Sequence, residues 1–92
     1  MTDEEYEAAI DELLEETVES LKSARGKPAE IKATIAEYLE RGDALEMSPM
    51  ELRDYFDISD PGLHEQAGFS EEECEQASEV FTEVSDARYP DS

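Results

Sequence analysis

The chain reads as all-α: a small single-domain bundle of four to five helices over residues 1–88, with 89–92 as a frayed C-terminal tail. Three observations predict it. Ser or Thr is followed three residues later by Glu at Thr2–Glu5, Ser48–Glu51 and Ser70–Glu73. At that spacing the hydroxyl accepts from the backbone N–H three residues on, and the Glu reaches back to the cap's own N–H. Around these starts, apolar residues recur at intervals of three and four, which places them on one side of a helix. No stretch alternates apolar with polar residues over the length of a strand.

The first helix spans about Asp3 to Ala24. Met1 and Tyr6 are placed to clasp its start. Tyr6, Ile10, Leu13, Leu14, Val18 and Leu21 form its apolar stripe, and Lys22, Arg25 and Gly26 suit its end. The second helix runs from Pro28 to about Arg41, with Ile31, Ile35, Tyr38 and Leu39 inward and Gly42 as its stop. Asp43 to Glu46 connects it to the densest apolar cluster, formed by Met47, Met50, Leu52, Tyr55, Phe56 and Ile58. Ser48 as cap and Pro49 at the first helical position predict a short third helix from Pro49 to Phe56. The core is expected to centre on Leu52, Tyr55 and Phe56.

In the next stretch, Asp60 is suited to cap a short helix that begins at Pro61, turns Leu63 inward and ends at Gly68. The last helix starts after Ser70 and continues to about Ser85. Phe69 and Cys74 bracket its start, and Cys74, Ala77, Val80, Phe81 and Val84 form its inner face. Leu52, Phe56, Ile58 and Leu63 also fall where a helix-turn-helix-like central core would bury its apolar residues. Arg53, however, stands where such helices pack closely. The would-be recognition segment Pro61–Gly68 has no Lys or Arg to meet phosphate or guanine, which argues against a DNA reader.

Ninety-two residues make one domain with a single modest core. A net charge of −20, from 27 acidic and 7 basic residues, argues against direct binding of nucleic acid or an anionic membrane. One cysteine fits a reducing compartment, and the N-terminus lacks the basic start and apolar run of a signal peptide. A cytoplasmic protein, monomeric or weakly dimeric, is expected. No catalytic, cofactor or metal motif is present. Asp57, Ser59 and Gly62 match parts of a calcium loop, but Gly68 stands where the closing Glu is required. His64, the only histidine, is expected to be partly exposed, and Cys74 to be a small buried apolar residue. A non-enzymatic protein is the expectation.

The acids are unevenly placed. Residues 1–25 hold nine acids and two bases, and residues 70–92 hold eight and one. Residues 26–45 hold four and three. Glu7–Asp11, Asp11–Glu15, Glu12–Glu16 and Glu15–Glu19 are like-charge pairs four apart, each costing about 0.2–0.5 kcal/mol at low salt. Two accounts explain the cost. In the first, Asp11, Glu12, Glu15, Glu16 and Glu19, with Glu72, Glu75 and Glu79 of the last helix, bind a basic protein surface. Nine acids from Asp3 to Glu19 give about one charge per 3 Å of helix, near the roughly 3.4 Å of a nucleic-acid strand. That is the physical logic of a DNA-mimic inhibitor of the phage anti-defence type, blocking a nucleic-acid-binding protein. In the second, a regulatory or adaptor domain is adapted to a high-salt cytoplasm, where a Debye length of about 3 Å mutes the repulsion. The low charge of residues 26–45 favours the first.

Overall fold

The computed structural model describes residues 2–90. It is all-helical among those residues: α1 (Asp3–Ala24), α2 (Pro28–Ala44), α3 (Pro49–Arg53), α4 (Leu63–Gln66) and α5 (Glu71–Arg88). A π-helical turn, Asp54–Ile58, continues α3 without a break. The radius of gyration is 12.5 Å, as a folded domain of this length should have (about 12 Å).

The helix starts follow the local chemistry. Thr2 Oγ1 accepts from the Glu5 N–H at 3.2 Å, and Ser48 Oγ from the Glu51 N–H at 3.1 Å. At Ser70 both halves of the box form: the hydroxyl takes the Glu73 N–H at 3.2 Å, and the Glu73 carboxylate takes the Ser70 N–H at 3.1 Å. Met47 and Leu52, on either side of the Ser48 cap, are both buried. Met1, expected to clasp α1 with Tyr6, lies outside the described residues.

The helix ends depart further from expectation. Between α1 and α2 the Lys27 N–H returns to the Ala24 carbonyl at 2.8 Å, with Gly26 at φ 79°. This is a turn whose third position needs positive φ, which glycine adopts without strain. Gly42 does not stop α2. It lies buried inside the helix, and a Cβ there would sit 2.3 Å from Leu52 Cδ2, so its role is to let α3 approach. The helix ends instead at Ala44. The Met47 N–H reaches back to the Gly42 carbonyl at 3.0 Å, and Glu46 takes the left-handed conformation at φ 61°. Asp60 does not cap α4 either; Gly62 does so without a side-chain bond, and α4 is a single turn. α5 continues past Ser85 to Arg88. Tyr89, at the start of the expected tail, and Arg88 before it both bond Asp43 of α2, at 2.7 Å from Arg88 Nε and 2.6 Å from the Tyr89 hydroxyl.

The core gathers around rings. Phe56 stacks on Phe81 with centroids 4.6 Å apart, and Tyr38 lies 6.2 Å from one and 6.5 Å from the other. Tyr38 is buried, yet its hydroxyl donates to the Leu52 carbonyl at 2.7 Å, so its polar end is satisfied and α2 is tied to α3. Burial raises the pKa of that hydroxyl, with Tyr55 adding to the effect. Two members of the expected centre, Leu52 and Phe56, are fully buried. Tyr55 is not; nor are Met50 and Ile58. Helical spacing explains Ile58, which falls two residues past the buried Phe56 and so on the far side of the turn. The Ser59 N–H bonds the Asp54 carbonyl five residues back, so the turn is widened, and Leu52 and Phe56, four apart, keep the inner face.

Candidate interaction surface

Every sequence-predicted acidic site residue is exposed: Asp11, Glu12, Glu15, Glu16 and Glu19 on α1, and Glu72, Glu75 and Glu79 on α5. α1 holds its five in place because Ile10, Leu13, Thr17, Leu21 and Ala24 are buried on the opposite side. Thr17 is accommodated there by donating to the Leu13 carbonyl at 2.7 Å. Glu15 and Glu19 form a ridge between two open hollows. One, of about 500 Å³, is lined by Asp11, Leu14, Glu15, Val18, Glu19 and Gln66. The other, of about 550 Å³, reaches across to Glu37 and Arg41 of α2. The α5 acids do not join this ridge. α2 packs against both long helices, and α1 and α5 are tied at one junction by Arg25 and Glu73.

That junction is a two-pronged ion pair. Arg25 Nε donates to Glu73 Oε2 at 2.8 Å and a terminal nitrogen to Oε1 at 2.8 Å. The hydrogen bonds from Arg25, followed by that from the Ser70 backbone, draw the Glu73 pKa down to about 2.

The cations as a group decide the electrostatics. Lys22 pairs with Glu19, Lys27 with Glu30 and Arg53 with Asp57 within their own segments. Arg25, Lys32, Arg41 and Arg88 reach between helices, to Glu73, Glu83, Glu16 and Asp43. All seven basic side chains are thus committed to the chain's own carboxylates, including the four (Lys22, Arg25, Lys27 and Lys32) that the sequence gathers near the first turn. Of 27 acids, Asp91 lies outside the described residues and seven are paired, which leaves nineteen without a cation. Asp11, Glu12 and Glu15 on α1, and Glu72, Glu75 and Glu79 on α5, are among them. Glu16 and Glu19 are not, since Arg41 and Lys22 hold them.

Two polar residues differ from expectation or need placing. His64, expected to be partly exposed, is 4 % exposed, set edge-on to Phe56 with centroids 5.5 Å apart. Its Nδ1 has no partner, and neither has the buried Oδ1 of Asp57. Burial lowers the His64 pKa, opposed by the nearby Asp57 and Glu65 carboxylates. The sequence misses this because one exposed-looking polar residue between Leu63 and Glu65 carries no periodic signal. Cys74 is half-buried. Its thiol pKa is raised, first by burial and then by Glu65, Glu73 and Glu71, which keeps it protonated. Among the described residues no group of His, Cys, Asp and Glu is arranged to hold a metal ion, and no helix is long and apolar enough to cross a membrane. Comparison with protein-family models, with curated proteins and with solved structures finds no match for this chain.

Proposed function

We propose that this chain is a non-enzymatic acidic interaction module that binds a basic surface of a protein partner and blocks that partner's access to nucleic acid. What supports it is the commitment of all seven cations to internal pairs, which leaves the outer faces of α1 and α5 almost purely anionic. Lysines placed among the α1 acids would relieve four like-charge pairs at no cost in helix propensity. Their absence is a cost in stability that a binding surface explains. α1 is a rigid rod of about 33 Å, at 1.5 Å per residue over 22 residues, long enough to lie along a groove built for a nucleic-acid strand. Asp11, Glu12 and Glu15 lead this surface, and Glu72, Glu75 and Glu79 form a second patch.

Affinity capture from the native host at moderate ionic strength tests the proposal, with a control in which Asp11→Asn, Glu12→Gln, Glu15→Gln and Glu19→Gln are combined. The wild-type chain should retain a basic protein that elutes as salt rises, and the variant should retain much less of it while keeping its helicity. Equal retention by the two would remove α1 from the interface.

A further inference from the structure

Large apolar side chains are exposed at three described positions, and all three fall in one nine-residue stretch: Met50 at 74 %, Tyr55 at 38 % and Ile58 at 64 %. Scattered exposed apolar residues are ordinary on a protein surface, whereas a concentration of them marks a contact site. This concentration sits on α3 and its π turn. π turns are rare and recur at functional sites. Tyr55 and Ile58 both lie within this turn and are exposed. Leu52 and Phe56 anchor the same turn in the core, so the outward face is held on a rigid base.

The surrounding charge selects the occupant. Glu51, Asp54 and Asp60, within or beside this stretch, are exposed and have no cation among the described residues. Arg53, the nearest base, is turned away, donating to Thr82 at 3.0 Å and to Asp57 at 3.2 Å with its guanidinium 5.4 Å over the Phe81 ring. A second copy would bring another −20 charges to an acid-rimmed face. An anionic membrane would be repelled in the same way. We infer that Met50, Tyr55 and Ile58 form a docking surface for a protein partner presenting an apolar centre ringed by Lys or Arg. This rests on the proposed function for the basic character of the partner, and adds a contact that salt does not weaken. Acidic faces accelerate encounter; an apolar patch slows dissociation.

The test is amide NMR on the isotope-labelled full chain with two probes: an amphipathic helical peptide of leucine and lysine, and an oligolysine of equal charge. Shifts centred on Met50, Tyr55 and Ile58 with the first probe but not the second, persisting in high salt, are the expected result. Combining Met50→Ser with Ile58→Ser should weaken that binding by about tenfold or more, and the exposure of both residues leaves the fold intact. Identical shifts from both probes, confined to α1 and α5, would overturn the patch and leave the acidic interface standing. Absence of binding by either probe in dilute buffer would overturn both. Concentration-dependent shifts at the patch without peptide would make it a self-association face and overturn the basic partner.

Discussion

At Phe56 the aromatic core meets: Phe81 stacks on it, Tyr38 packs beside it and His64 sets its edge against it. The side chain is fully buried, so Phe56→Ala removes contacts with three elements at once and should cost about 3–5 kcal/mol in chemical denaturation. Tyr55→Ala, one residue away and partly exposed, should cost far less. His64 predicts a pH response. Its pKa in the fold lies below the ordinary 6.5, so the fold holds the neutral ring. The stability this contributes is complete above pH 6.5 and is lost as pH falls through that value toward the lower folded one. The Arg25–Glu73 pair does not obscure the effect, because its contribution begins to be lost only as pH falls through the ordinary Glu73 value of 4.5, below the range measured. Unfolding measured between neutral pH and about pH 5 should therefore show wild-type stability falling with acid. His64→Phe, which keeps a ring against Phe56 and removes the ionisable group, should show a flatter profile.

Among the elements, starts and ends obey different rules. A capping box is made within four residues, and the spacing at Thr2, Ser48 and Ser70 was enough to place three helix starts correctly. An end depends on what packs there. Gly42 looks like a stop, but Leu52 from the next helix occupies the space where its Cβ would be. Two effects compete in Gly42→Ala. Helix propensity favours alanine by about 1 kcal/mol, and overpacking against a fully buried leucine costs about 1–3 kcal/mol. The clash at 2.3 Å is too severe for a small adjustment, so the variant should be less stable than wild type by thermal or chemical unfolding. Local sequence from Pro49 to Ile58 fits a continuous α-helix, so the π turn at Asp54–Ile58 was not legible in it.

For the whole molecule, the all-helical class and the inner faces of the long helices were legible, because amphipathic spacing is a local pattern that the fold preserves. Ile10, Leu13, Leu21, Ile35, Leu39 and Phe81 are buried where that spacing puts them. The candidate surface was legible in part. Exposure of the eight acids follows from the same periodicity, but the pairing of Arg25 with Glu73 and of Lys32 with Glu83 joins residues 48 and 51 apart, beyond any local pattern. Those pairs bear on the rival account of the charge. A surface shaped only by high salt should lose helicity in dilute buffer, where nineteen carboxylates without cations repel across a longer Debye length. Far-ultraviolet circular dichroism should instead show full helicity in dilute buffer with little gain in molar potassium chloride. The most direct measurement is competition on the partner recovered by affinity capture, loaded with fluorescent nucleic acid and followed by anisotropy. Added wild-type chain should release the nucleic acid fully, while the Asp11, Glu12, Glu15 and Glu19 variant releases it only at much higher concentration. A ternary complex, with the chain bound and the nucleic acid still held, would contradict the account.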